Sequence, residues 1–248
     1  MFVKMDRLKI GLLCVKNDPL LPLFFSELYD LDFVEYHLIW DDKNFNKNDL
    51  EIINNRIDND IYTLVSKPEK HDQFGLNCKN LEGFGHNSSE LLRYINDNKI
   101  ICLLNVGTTK KLKPSILNAC NLGVMNVHPG DLPSYRGSCA VEWAIFNKEP
   151  IFLTAHKMNE EYDAGEIACK RYIQLCQGDH YKTVRTKIYL QTSNMFSLLI
   201  KKIQSNQLTF DAQDNSKSRY YKPISESQSK KLNSILPQYL EIFYDYCS

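Results

Sequence analysis

No stretch of the 248-residue chain approaches the roughly 20 consecutive apolar residues that a membrane-spanning helix requires. A bilayer-embedded helical protein is thereby disfavoured. Charge of one sign is also missing: Lys plus Arg and Asp plus Glu both number 30, so no long-range field draws the molecule toward nucleic acid or anionic lipid. Any anionic partner must be met by local groups. The apolar run at residues 8–15 is too short and wrongly flanked for a secretory leader, which sets the expectation of a cytoplasmic protein. The eight cysteines (14, 78, 102, 120, 139, 169, 176 and 247) are dispersed, with no C-x-x-C pair, and several lie inside apolar runs. They read as reduced, mostly buried thiols rather than a disulfide framework. No G-x-G-x-x-G follows the first apolar run, which disfavours a nucleotide-dependent oxidoreductase. Internal repeats and low-complexity tracts are absent as well.

What is present is an alternation of short apolar runs with amphipathic stretches. Residues 8–15 predict a first strand, and the Asn17-Asp18-Pro19 turn opens a helix through Leu20, Leu21, Phe24, Phe25 and Leu28. A strand at 33–40, a helix at 49–57 and a short strand at 61–65 follow. Asn87-Ser88-Ser89-Glu90 supplies an N-cap signal for a helix over 88–98. The nearly continuous apolar run at 100–106 has the character of a strand covered on both faces of a parallel sheet. A helix at 112–119 and a strand at 124–127 repeat the pattern, which predicts an α/β, Rossmann-like open, mostly parallel sheet with helices on both faces. Beyond Pro133 a helix at 140–146, strands at 152–158 and 166–175 and a long helix at 180–204 are expected. The division is then a main domain over 1–206 and a small extension over 207–248, holding a strand-like Arg219-Tyr220-Tyr221-Lys222 segment and a terminal amphipathic helix at 228–246.

Ligands of doubly wound sheets lie beyond the carboxyl ends of the strands, and the segment from Met125 to Gly137 falls there. Residues two apart in a strand project together, so Asn126 and His128 face one spot. Pro129 and Pro133 end the strand and stiffen the loop, and Gly130 and Gly137 permit backbone geometry other residues resist. Taken singly, a histidine or an asparagine at a strand end is most often structural. Joined to Leu132-Pro133-x-Tyr135-Arg136-Gly137, the pair becomes far more specific.

The runs Asn126-x-His128-Pro129, Leu132-Pro133-x-Tyr135-Arg136-Gly137 and Trp143-Ala144-Ile145 resemble the signature of the 10-formyltetrahydrofolate-dependent formyltransferases. That family includes glycinamide ribonucleotide, methionyl-tRNA and sugar-nucleotide formyltransferases. A second block, Thr154-x-His156 followed by Asp163-x-Gly165-x-Ile167, resembles the family's strand and turn in the same order. The resemblance implies a catalytic trio: Asn126 stabilising the oxyanion, His128 assisting proton removal, and Asp163 orienting His128 or a water. It implies a folate contact through the stretch containing Leu104, Val106 and Gly107, with His156 and Tyr162 flanking the cleft, and no metal. Three departures stand out: Gly130 and Asp131 replace the family's frequent Ser and Leu, and Val141-Glu142 precedes the Trp where a small residue or Pro is common.

Which amine accepts the formyl group is read from absences. The stretch Cys14-Val15-Lys16-Asn17-Asp18-Pro19 has no glycine, so it offers no Gly-rich cradle of exposed backbone N–H groups for a ribonucleotide phosphate. The neutral charge and the length argue against the basic C-terminal barrel of the tRNA enzymes, and no nucleic-acid partner is expected. The resemblance then implies the sugar-nucleotide branch, with a dTDP-linked 3- or 4-amino-dideoxyhexose made for O-antigen lipopolysaccharide or a related glycan. Tyr220, Tyr221, Lys222 and Arg136 become candidate substrate contacts, by stacking on a base or pairing with a pyrophosphate. The terminal helix either packs on its own domain or forms a homodimer contact. Two other readings stay open: transfer to another small primary amine, and a non-catalytic folate-binding protein.

Overall fold

The computed structural model describes residues 7–60 and 78–244. Five parallel strands form its centre: β1 (Leu8–Cys14), β2 (Val34–Trp40), β3 (Cys78–Leu81), β4 (Cys102–Asn105) and β5 (Val124–His128). Two antiparallel strands, β7 (Phe152–Lys157) and β8 (Ile167–Tyr172), extend the sheet, whose order is β3-β2-β1-β4-β5-β7-β8. The expected Rossmann-like open sheet is thus observed. The strand expected at 61–65 lies outside the described residues, and the third strand of the sheet is β3, whose half-exposed Cys-Lys-Asn-Leu carries little apolar signal at this edge.

The apolar alternation of β1 explains the layering. Ile10, Leu12 and Cys14 join the larger core, whereas Leu13 joins a second core on the opposite face with Ile39, Leu91, Ile95, Leu103 and Val124. The larger core is covered by α1 (Leu21–Phe25), α5 (Ala140–Asn147), α6 (Tyr181–Gln204) and α7 (Glu226–Phe243). The second is covered by α3 (Ser89–Asn98) and the short α4 (Pro114–Leu117), while α2 (Lys47–Asn54) buries none of its residues fully. Ser88 accepts the Leu91 N–H and starts α3, as the capping signal predicts. In α7, Ser225 and Gln228 form a reciprocal capping box, so this helix begins two residues earlier than its apolar spacing suggests. Its Leu232, Leu236, Tyr239 and Leu240 are buried in the chain's own core.

Glu142, one of the family departures, is fully buried on α5. It accepts the Tyr181 hydroxyl at 2.5 Å and lies 3.4 Å from Arg56 and 3.8 Å from Arg185. Burial pushes its carboxyl upward, but the two guanidinium groups outweigh that and hold it below the ordinary value. The cluster ties α5 to α6 and to the end of α2, so a carboxylate replaces apolar packing here. The cysteines need one correction. Among the described residues Cys14, Cys102 and Cys120 are buried free thiols, but Cys176 is disulfide-bonded. The bridge Leu175↔Tyr244 lays the end of the described chain beside this position, a proximity that sequence spacing does not reveal.

The first turn carries a pH-dependent strain. Asp18 is 6% exposed, and its Oδ1 accepts the Leu20 N–H at 2.9 Å just before α1. Burial raises its pKa to about 6, opposed by that backbone N–H. A carboxyl with a raised folded-state pKa stabilises the fold only where it is protonated, and the ionised form weakens the fold as pH rises. Asp18→Asn keeps the acceptor and removes the charge. Its melting temperature should match wild type near pH 3.5, exceed it progressively between about pH 4 and 6, and level off above, with a gain on the order of 2–3 kcal/mol. A pH-independent difference between the two proteins would refute the assignment.

Candidate active site

The site lies at the carboxyl ends of β4 and β5, beside the point between β1 and β4 where the strand order reverses. Asn126 and His128 project from the same face of β5, and antiparallel pairing sets His156 opposite Asn126 and Thr154 opposite His128. Thr154 Oγ1 donates to Gly130 O at 2.7 Å and accepts the Leu132 N–H at 3.2 Å, which pins the loop after β5. Gly130 is required at close quarters, because a Cβ there would stand 2.8 Å from His128 Nε2, from Tyr135 O and from the Ala140 methyl. The glycine that departs from the family's common serine thus makes room for the histidine.

Hydrogen bonds fix the two imidazoles. His128 Nε2 lies 2.6 Å from Tyr135 O, and since a carbonyl only accepts, this nitrogen carries a proton. Its Nδ1 is then the atom turned to the Asp163 carboxylate, 3.4 Å away. His156 Nδ1 donates to Lys157 O at 3.2 Å. Burial lowers the His156 pKa to about 4, against the opposing pull of Asp163, so the ring is neutral near pH 7 and its Nε2 is an acceptor. That acceptor receives Asn126 Nδ2–H at 3.3 Å, and Asn126 Oδ1 in turn accepts Asn105 Nδ2–H at 3.2 Å. The orientation of the Asn126 amide follows: one Nδ2 hydrogen is engaged by His156, and the other stays available on the cleft wall.

Asp163 sits in a left-handed backbone conformation (φ 55°), and its Oδ2 accepts the Gly137 N–H at 2.8 Å. Its Oδ1 is 3.4 Å from His128 and 3.7 Å from His156. Asn126, His156, Asp163 and His128 therefore form one contiguous chain of polar groups. Asn126, His156 and Asp163 line a cleft of about 350 Å³, along with Asn105, the 108–112 loop, Leu117, Met158 and Tyr162. Leu112, Leu117 and Met158 offer apolar wall, Lys111 Nζ stands 5.1 Å from the centre of the Tyr162 ring, and Asn105 Oδ1 is buried without a hydrogen-bond partner among the described residues.

The other residues singled out in the sequence sit in the core, in the loop after β4 and along the C-terminal seam. Leu104 and Val106 are buried in the core, and the Val106 and Gly107 N–H groups both donate to Leu13 O, at 3.1 and 2.9 Å. Asn105 and the loop after Gly107 form this part of the cleft wall. That loop is held by Asp41, whose Oδ2 accepts the Thr109 hydroxyl at 2.6 Å. Burial raises the Asp41 carboxyl, but hydrogen bonds from Thr109 and Asp42 and the nearby His86 prevail and lower it to about 2. Asp131 is paired with Lys170 at 2.5 Å. Arg136 is buried, and its guanidinium donates to Gln213 and Asn215. Tyr221 stacks on Tyr135 (5.0 Å, 9°) and tilts against Trp143, and Trp143 Nε1 donates to Lys222 O. The Arg136 and Tyr221 side chains are thus engaged in packing, and Tyr220 is exposed beside Gly137. Asn105 was detectable as a polar residue ending an apolar run. Nothing in the local sequence marks Gln213.

Comparison with known proteins bears on the fold and the family. The sequence model of the formyl transferase family matches residues 45–200, more than half of the chain. A methionyl-tRNA formyltransferase from Kosmotoga olearia is 27% identical over 144 residues, covering 58% of this chain and 46% of the relative. The chain thus spans about half the length of the curated relatives it matches. A sugar N-formyltransferase from Shewanella sp. shares the fold with TM-score 0.60 at 15% identity, covering 92% of this chain and 88% of that one. An N-formyltransferase from Helicobacter canadensis, solved with folinic acid and dTDP-3-aminofucose, aligns with TM-score 0.57 at 16% identity over 94% and 81%. With the family model spanning β4, β5, β7 and β8 and the loops that hold the polar chain, this protein belongs to the formyl transferase family.

Proposed function

We propose that the protein transfers a formyl group from 10-formyltetrahydrofolate to the primary amine of a nucleotide-linked amino-deoxy sugar, a dTDP-linked 3- or 4-amino-dideoxyhexose, for O-antigen or related glycan synthesis. The observation that carries the transfer is the contiguous chain of polar groups Asn126–His156–Asp163–His128, the first three of which line the cleft. The folate supplies a formyl carbon whose oxygen gains negative charge when an amine attacks it. The unengaged Nδ2–H of Asn126 is a pre-oriented donor for such a charge, and a donor of this kind is worth about 2.7–4 kcal/mol. His128 Nδ1, beside Asp163, is the group positioned to move the proton of the amine. The cleft fits the carrier: its apolar wall suits a flat ring, and the unpartnered Asn105 Oδ1 suits a ring N–H.

Support for a sugar acceptor comes from alignment over most of both chains with sugar N-formyltransferases, including the extension beyond residue 206, and from the neutral charge. A second reading, methionyl-tRNA as acceptor, is favoured by the named sequence relatives. Incubation with 10-formyltetrahydrofolate and dTDP-, UDP- or GDP-linked amino sugars, with methionyl-tRNA in parallel, separates the two by product mass. A gain of one formyl group on a sugar nucleotide is the expected result; formylation of the tRNA alone would overturn it. Asp163→Asn keeps an acceptor for the Gly137 N–H but removes the charge facing His128, and turnover should fall by about 100-fold or more. Wild-type turnover in this variant would refute the role given to the carboxylate.

A further inference from the structure

Asp163 is fixed by more than its side chain. The Nε2 of Gln213 donates to Asp163 O at 2.8 Å and to Gly165 O at 2.6 Å, so both hydrogens of one amide clamp the turn that carries the carboxylate. Gln213 Oε1 accepts from Arg136 Nε at 3.1 Å and Nη2 at 2.7 Å. Arg136 directly precedes Gly137, whose N–H holds Asp163 Oδ2 at 2.8 Å. The contacts close on themselves: carboxylate to Gly137, along the chain to Arg136, across to Gln213, and back to the Asp163 carbonyl. Donating to two carbonyls while accepting from a guanidinium is what a glutamine amide does and a carboxylate cannot.

The segment bearing Gln213 is anchored on both sides. Ile167 and Asp211 exchange N–H···O bonds of 2.8 Å each, Arg136 N donates to Arg219 O at 3.0 Å, and Arg219 N donates to Pro133 O at 3.2 Å. Two short strands, β6 (Arg136–Gly137) and β9 (Tyr220–Tyr221), complete the seam. Asp211, Gln213, Arg219 and β9, the C-terminal side of these contacts, lie beyond the residues that the family model matches.

The geometry points to Gln213 as a positioning residue: it sets the Asp163 turn from outside, so that the extension after residue 206 is a working part of the site. Gln213 is not among the residues lining the cleft and acts through Asp163. The kinetic arm of the test rests on the formyl-transfer reading; the spectroscopic arm does not. In the full chain, Gln213→Met keeps length without the amide, and Gln213→Glu keeps acceptors for Arg136 but turns an acceptor toward the two carbonyls. Both should lower kcat by about 10- to 100-fold with the KM for 10-formyltetrahydrofolate within about threefold of wild type, the signature of a displaced group rather than lost binding. Without ligand, the ring resonances of His128 and His156 should move in both variants as Asp163 moves. Folded variants with wild-type kcat and unchanged histidine resonances would overturn the proposal. If the wild-type protein formylates no amine, the transfer reading fails, and the resonances alone decide whether Gln213 positions Asp163.

Discussion

His128→Ala should reduce formyl transfer by about 100- to 10,000-fold while leaving a folded protein, the range expected for loss of a positioned proton-transfer group. The imidazole is 5% exposed, and its Nε2 proton is engaged by Tyr135 O, so Nδ1 is the only ring atom free to exchange a proton beside Asp163. Removing the ring also leaves the Tyr135 carbonyl unpaired, at a stability cost of about 1–3 kcal/mol. The two consequences separate experimentally. Circular dichroism and melting report the second, and turnover on the folded fraction reports the first. An unchanged turnover rate would end the assignment of His128 to the chemistry. His156→Ala serves as contrast: the His156 ring is neutral near pH 7 and acts on Asn126, so its loss should weaken the oxyanion donor rather than remove the proton acceptor.

Gly165→Ala should be at least as damaging, though Gly165 has no side chain to contribute. A Cβ at this position would overlap the carbonyl oxygen of Lys157, and a backbone atom cannot swing aside as a flexible side chain does. Either the end of β7 or the Asp163 turn must move. The first breaks the β7–β8 pairing near His156, and the second pulls Asp163 from Gly137 and from Gln213. Overpacking of this kind costs about 1–3 kcal/mol or more, and a displacement of about 1 Å at a reacting centre costs about 100-fold in rate. The expected outcome is loss of nearly all transfer together with a lowered melting temperature. A variant that melts and turns over like wild type would show that the turn is not held as described.

Much of the fold was legible because its signals are local. Strands β1, β2, β4 and β5 are apolar runs of nearly the expected bounds, and α3, α6 and α7 begin at capping residues that a reader of the chain can identify. Helices α1 and α4 are shorter than their apolar spacing predicts, because each is confined to a brief crossing between strands. Edge strand β3 carries too little apolar character to stand out. For the site, the side-by-side projection of Asn126 and His128 follows from strand alternation alone. That strand pairing engages the Val106 and Gly107 N–H groups, and that core packing buries the Leu104 and Val106 side chains, depends on neighbouring strands and is not written in the segment itself.

Chain order and residue type are enough to specify an open parallel sheet, a polar pair at the end of β5 and an Asp-x-Gly turn after β7, since periodicity, caps and strand alternation act over a few residues. They leave unspecified that Asp163 stands 3.4 Å from His128, that Gln213 clamps its carbonyl from 50 positions away, and that a buried Glu142 answers Arg56 and Arg185. Those relations join groups distant along the chain. They come into being when burial brings unlike segments together and each polar atom removed from water must find a partner.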